Sequence, residues 1–210
     1  MKKFLIKVYE YSKKKFLFLK RRFIAPEFPK NPGDKIYLNL GCALKSGKEF
    51  INIDVEPYPN IHHVQDITNL SNFADESVDM VYASHVVEHI PREKLHSTLL
   101  EWKRVLKHGG IFRFAVPDFN ALVDIYEKSG KDVGLVRDQV MGQNPPYHNH
   151  YTLWNFASAE KLLKDLGFKD IHIWSPDKVD HHDFDDRSTR TLRAGGKDIP
   201  FSLNVEGIKP

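Results

Sequence analysis

Residues 36–54 read IYLNLGCALKSGKEFINID, and this stretch decides the fold. Ile36-Tyr37-Leu38-Asn39-Leu40 is a short apolar run that stops at Gly41, the pattern of a buried strand ending in a turn. Phe50-Ile51-Asn52-Ile53-Asp54 is a second run, and it ends in an acid. Only 13 positions separate Gly41 from Asp54, and Leu44-Lys45-Ser46-Gly47-Lys48 between them leaves little room for a helix. Outward from this pair the pattern repeats. Ile61 to Gln65 reads as a weaker strand ending before Asp66, and Val78 to Ala83 as a strand ending at Ser84. Ile111 to Val116 is another, launched by Gly109-Gly110 and stopped by Pro117. Between these last two, Pro91 to Lys107 places Leu95, Leu99, Trp102, Val105 and Leu106 on one helical face. Asp118 to Lys128, with Asp118 as N-cap, and Ser158 to Leu166, closed by Gly167, are further helices; Phe168 to Trp174 and Phe201 to Ile208 are the closing strands. Strands alternating with helices imply an α/β fold, a mostly parallel sheet with helices on both faces. Ligands of such sheets bind at the strands' carboxyl ends.

Composition agrees with a globular domain and narrows its class. Of 210 residues, 41% are hydrophobic and 28% charged, which excludes a disordered tail protein. The single cysteine, Cys42, excludes a disulfide framework or a zinc ribbon, and no apolar run approaches the roughly 18 residues of a membrane span. The formal charge of +3 is a sum of unlike parts: residues 1–22 carry nine basic side chains and one acid, net +8, so the remainder carries −5. A mildly acidic body argues against nucleic acid as a partner. In the arm, Leu5, Val8, Tyr9, Phe16, Leu19 and Phe23 fall on one helical stripe opposite the lysines, with Ile6, Leu17 and Phe18 breaking the pattern. Lys7, Glu10 and Lys13 interrupt any apolar core, so a signal peptide is not expected. Two readings of the arm stand: a helix packed on the domain with a solvated basic face, or, for residues 1–24, an interfacial helix on the anionic inner face of a membrane. The Pro/Gly-rich stretch from Ala25 to Asp34 is a linker. The expected organisation is therefore an arm and linker over 1–33 and a domain over 34–210, with an insertion at 129–153 placed to cover a substrate.

The strand ends carry a constellation. Gly41, within Asn39-Leu40-Gly41-Cys42-Ala43, lets backbone N–H groups approach a ligand. Asp54 is placed to accept hydrogen bonds from ribose hydroxyls, and Asp66-Ile67 to meet an adenine. Ser84 and His85 close the next strand. Glycine, acid and acid at successive strand ends suit an adenosine-type ligand.

On these residues the sequence resembles the class I S-adenosylmethionine-dependent methyltransferases, the methyltransferase type 11-like group in particular. The likeness runs through LNLGCALKSGKEFINIDVEP, VQDITNLSNFADESVDMVYASHVVEHI and LLEWKRVLKHGGIFRFAVPD, then more loosely to FSLNVEGIK, over roughly residues 34–208. It implies a Rossmann-like three-layer sandwich whose seven-stranded sheet has the order 3-2-1-4-5-7-6, with strand 7 antiparallel. It implies S-adenosyl-L-methionine as cofactor, held by Asn39, Gly41, Cys42, Ala43, Asp54, Asp66, Ile67, Ser84 and His85. Ala43 stands where the family usually has glycine. The short Gly41–Asp54 spacing also disagrees with a nicotinamide-type fingerprint, which argues against hydride transfer. Asn144-Pro145-Pro146-Tyr147 spells a tetrapeptide of amino-methyltransferases but lies far from strand four, so it is read as a turn.

Methyl transfer from a sulfonium depends mainly on positioning, and a hydroxyl acceptor also gains from a base. His85, at the end of strand four, is the first candidate, with His148 and His150 of the insertion behind it; Glu88 and His89 are expected to fix the loop by hydrogen bonds. His62, His63, His96, His108 and His172 are expected to be surface or structural. The run Asp180-His181-His182-Asp183-Phe184-Asp185-Asp186 is read as a polar loop, and no metal is expected. The leading expectation is a cytoplasmic enzyme, possible at the inner membrane face through its arm, that methylates a hydroxyl, or less readily an amine, of a small-molecule or envelope-polysaccharide acceptor. The alternative is a non-catalytic adenosine-ligand binder that docks a membrane or protein partner.

Overall fold

The computed structural model describes residues 12, 15–21, 23–143 and 148–210. Its strands are β1 (Tyr37–Leu40), β2 (Phe50–Asp54), β3 (His63–Val64), β4 (Val78–Ser84), β5 (Leu106–Pro117), β6 (Lys169–Ile173), β7 (Thr191–Ala194), β8 (Lys197–Pro200) and β9 (Ser202–Ile208). Its helices are α1 (Arg92–Val105), α2 (Phe119–Lys128), α3 (Val133–Met141) and α4 (Phe156–Asp165). Seven strands form one sheet in the order β3-β2-β1-β4-β5-β9-β6. The pairs from β3 to β5 are parallel, and β9 runs antiparallel to both β5 and β6. Counted within the sheet, this is the expected 3-2-1-4-5-7-6 order with its last strand reversed.

Strand periodicity sorts side chains onto two faces. Leu38, Leu40, Ile53, Val81, Ala83, Phe112, Phe114, Leu203 and Val205 point to one, where α1 packs through Leu99, Trp102 and Val105 and α4 through Ala159 and Leu163. Trp102 is fully buried, and its indole N–H donates to the Ile67 carbonyl at 2.8 Å. The opposite face is built differently. Tyr37, Phe50, Met80, Tyr82 and Ala115 lie beneath Trp174, Val179 and Phe184, so the third layer here is an irregular strap, residues 174–188, where helices were expected. The short link between β1 and β2 is made of turns, which leaves that room. The strap is polar, and hydrogen bonds hold it: the Tyr82 hydroxyl donates to Asp186, and His181 Nδ1 lies 2.7 Å from Glu49 Oε2 with its Nε2 3.2 Å from the Tyr37 hydroxyl. Arg113 pairs with Glu206 at 2.6 Å and lies over the Trp174 ring. The Asp180–Asp186 run is thus a structural fastening.

Several boundaries differ from the sequence reading. β5 begins at Leu106 and runs straight through Gly109-Gly110, while β3 shrinks to two residues. The helix α3 and the β7–β8 hairpin, turned by Gly195-Gly196, were not expected. They pack with α2 around Leu122, Ile125, Val136, Ala194 and Phe201, a small core beside the main one.

Residues 15–21 are helical. Phe18 meets Tyr58 edge-on at 5.2 Å, and Arg21 Nε donates to the Ile61 carbonyl at 2.7 Å. Phe18, which broke the apolar stripe, therefore faces the domain. The described part of the stripe faces solvent: Phe16, Leu19 and Phe23 are 67%, 54% and 77% exposed. Leu5, Val8 and Tyr9 of that stripe, and the tetrapeptide 144–147, lie outside the described residues.

Candidate active site

The floor of the site is the row of strand ends β2, β1, β4 and β5. At the end of β1, Gly41 has φ +63°, and a Cβ there would stand 2.7 Å from Val86 Cγ2. The glycine is thus required both by the turn and by the close approach of the segment after β4. Asp54, nearly buried, ends β2; its Oδ2 accepts from the Ala43 N–H and its Oδ1 from the Glu56 N–H, both at 2.9 Å. Burial raises its pKa, and those N–H groups oppose the rise. A carboxylate has about four acceptor positions, so two remain for hydroxyls. Ala43 takes φ +48°, the left-handed conformation that glycine adopts without cost.

The other expected cofactor residues gather around these. Asn39 is buried and donates to the Lys45 carbonyl at 3.1 Å, holding the turn after Gly41 closed. Burial pushes the Cys42 thiol up, so it stays protonated. Asp66 is exposed beyond β3 and caps its own turn through the Thr68 N–H at 2.9 Å. Ile67 packs beside it against the main core, and Ser84 ends β4 half-buried. The donor set fits a nucleoside with a ribose: carboxylates with spare acceptor positions end β2 and follow β3, beside the glycine that ends β1.

Beside the cradle, at the ends of β4 and β5, opens a cleft of ≈ 230 Å³. His85, His89, His148, His150, Arg187 and Arg190 line it, with Pro117 and Phe201 as apolar patches. The three histidines proposed from sequence thus reach one cavity. They are held differently. His85 is buried with φ +54°, and its Nε2 lies 2.9 Å from the Ser202 hydroxyl. That hydroxyl gives its only proton to the Arg187 carbonyl at 2.7 Å, so His85 Nε2 is the donor and its Nδ1 faces Glu88 Oε1 at 3.4 Å. His150 Nδ1 donates to the Gln139 carbonyl at 2.8 Å and His89 Nδ1 to the Asn149 carbonyl at 2.9 Å. Burial lowers the pKa of both rings, so each is neutral near pH 7 with a bare Nε2. His148 is exposed, 6.0 Å from the His89 ring, and makes no hydrogen bond among the described residues.

Sequence reading missed two contributors and gave a third, Glu88, a different role. Arg187 and Arg190 sit in the strap, where no local pattern marks them, and neither guanidinium has a hydrogen bond or ion pair among the described residues. The Glu88 side chain is fully buried; its carboxylate oxygens have no hydrogen-bond partner among the described residues, and His85 Nδ1 lies 3.4 Å from Oε1. Its backbone does fasten the loop, since its carbonyl accepts from Tyr151 at 2.8 Å. Of the other histidines, His62 is structural, accepting from the Asn52 N–H at 2.9 Å.

Residues 41–114, from the glycine cradle to β5, match the family model described as a methyltransferase domain. Among solved structures, a SAM-dependent methyltransferase from Archaeoglobus fulgidus is 17% identical, with a TM-score of 0.52, over 93% of this chain and 94% of that one. A SAM-dependent methyltransferase from Thermotoga maritima is 16% identical, with a TM-score of 0.50, over 97% and 96%. A third, from Haloferax volcanii, is in complex with a methyltransferase activator and is 18% identical, with a TM-score of 0.50, over 95% and 91%. At these identities the structures share the fold. No curated protein matches the chain. The domain match covers residues 41–114, and the sheet order is the one implied by the resemblance to the class I S-adenosylmethionine-dependent methyltransferases.

Proposed function

We propose that the enzyme methylates a hydroxyl of a small-molecule or envelope-glycan acceptor that carries an anionic group. The observation that carries this reading is the cleft: polar, histidine-lined, flanked by the guanidiniums of Arg187 and Arg190, which have no hydrogen bond or ion pair among the described residues, and adjoining the Gly41 cradle through Val86. Two such guanidiniums suit a carboxylate or phosphate bidentately, whereas a neutral phenol would call for an apolar slot. S-adenosyl-L-methionine supplies an electrophilic methyl group when bound, held by Asn39, Gly41, Cys42, Ala43, Asp54, Asp66, Ile67, Ser84 and His85. Arg187 and Arg190 orient the acceptor. His148, whose ring nitrogens have no hydrogen bond among the described residues, takes the acceptor's proton; His85, tied to Ser202 and turned toward Glu88, and His150, tied to Gln139, shape the cleft. The insertion at 129–153 brings His148 and His150 to the cleft and so selects the acceptor.

Calorimetry with S-adenosylhomocysteine, followed by mass-detected methyl transfer across uronic acids, phosphosugars, neutral sugars and phenols, tests this. We expect cofactor-product binding and turnover confined to anionic hydroxyl acceptors, with His148→Ala lowering turnover at least tenfold and leaving cofactor affinity unchanged. Binding without any turnover would favour the non-catalytic adenosine-ligand binder.

The arm locates the enzyme in this reading. Phe16, Leu19 and Phe23 turned outward, in an arm of net +8, support peripheral contact with an anionic membrane face, where glycan acceptors on lipid carriers are handled.

A further inference from the structure

Glu88 poses a physical problem. A carboxylate buried without hydrogen bonds is costly unless a cation compensates it; neither Glu88 oxygen has a hydrogen bond among the described residues, with His85 Nδ1 3.4 Å from Oε1. What faces it is informative. One carboxylate oxygen of Glu88, one nitrogen of His89 and one of His150 all lie within 4.8 Å of one another. The carbonyls of Asn149 and Gln139 fix the Nδ1–H tautomer of His89 and His150, which leaves the Nε2 lone pairs free. A histidine that gives its other N–H to a backbone carbonyl is in the state that metal ligation requires.

We propose that Glu88, His89 and His150 bind a divalent metal ion of the zinc class. Two imidazoles and one carboxylate are a donor set for zinc, cobalt or iron(II) and a poor one for magnesium or calcium, which take oxygen ligands. Ligands on a tetrahedral centre lie about 3.4 Å apart at bond lengths of ~2.1 Å, so the three groups, now within 4.8 Å of one another, draw together when the ion is held. Three protein ligands leave a position open, as in catalytic sites. His89 and His150 also line the cleft, so that position opens toward the acceptor. On the methylation reading proposed above, the ion binds the acceptor oxygen, lowers its pKa and presents it as an alkoxide, with the proton leaving to His148. Binding of the ion itself does not depend on that reading. The ligands come from two segments, one after β4 and the other in the insertion, so the ion would also tie the insertion to the sheet.

The test uses the full chain without a histidine tag, freed of metal by a chelator and checked for retained secondary structure. It is titrated with Zn²⁺ by calorimetry and with Co²⁺ by visible absorption. The expected result is one equivalent bound, a cobalt d–d band of a four- or five-coordinate centre, and at least a tenfold loss of affinity in His150→Ala and His89→Ala. Glu88→Gln should lose affinity likewise if it folds, and His172→Ala, on the exposed β6, should bind as the parent does. Absence of a stoichiometric site, or unchanged affinity in both His89→Ala and His150→Ala, overturns the proposal and leaves a proton shared with His85 as the compensation for Glu88. S-adenosylhomocysteine binding by the metal-free protein is measured alongside. Its presence without zinc binding defeats the metal site alone, and zinc binding in its absence defeats the methyltransferase reading alone.

Discussion

At the scale of single residues, Gly41 carries the most. It combines a left-handed backbone with contact to Val86, so Gly41→Ala adds a conformational penalty of about 1–2 kcal/mol to a steric one. We expect a stability loss of about 2 kcal/mol or more by urea denaturation, together with an S-adenosylhomocysteine affinity at least tenfold weaker. A variant that binds and unfolds like the parent would show that the turn yields easily. Gly41 and Asp54 were legible in the sequence because each ends a strand, where residue type and position coincide. Glu88 was not. Its neighbours His85 and His89 suggested a polar loop, and only the fold reveals that its carboxylate is sealed from solvent beneath His150, 62 positions away.

At the scale of elements, periodicity located the seven strands of the main sheet and three of the four helices. It missed β7, β8 and α3, and it failed where an element's reason lies elsewhere in the chain. The strap 174–188 has no period because its partners, Tyr37, Glu49 and Tyr82, belong to distant strands. The Gly109-Gly110 pair looked like a strand start, yet β5 crosses it because its early part pairs with β4 through Val78↔Leu106. The helix at 15–21 was legible as amphipathic but not in its orientation: Phe18 and Arg21 dock, and the apolar stripe is left outside. That orientation yields a prediction. The full chain should sediment with vesicles containing anionic lipid and not with neutral vesicles, and Phe16→Ser/Leu19→Ser/Phe23→Ser should weaken binding at least tenfold. Since those side chains face solvent, the triple variant should keep the parent's thermal stability. Equal binding by the triple variant would confine attraction to charge.

At the scale of the molecule, neutral histidines set the pH response. Burial lowers the pKa of His62, His63, His89, His150 and His182 below the unfolded value of about 6.5. The unfolded chain therefore binds more protons between those values, and stability rises with pH across that window. Their contribution is complete above about pH 6.5 and is lost as pH falls through the lowered folded values. Glu88 is different: burial would raise its pKa, but the contact with His85, and the charges of His85 and His89 once these are protonated at low pH, outweigh that and hold it low, so its contribution persists down to the ordinary carboxylate range. Scanning calorimetry should find the unfolding midpoint several degrees lower at about pH 5.5 than at about pH 7.5. A flat profile would mean that these rings gain compensating partners when charged.

The place of β9 has a consequence for how the chain is made. Residues 202–208 lie between β5 and β6 and are the link through which β6 joins the sheet. Synthesis must run from Pro117 to Ser202 with one edge of β5 open, and an open strand edge is a template for wrong pairing. In that interval α2, α3, α4 and the β7–β8 hairpin emerge as local structures able to form early. Closure then comes as one late, long-range event, so a nascent chain stalled before Ser202 would hold the cofactor cradle while still offering β5 to any passing strand.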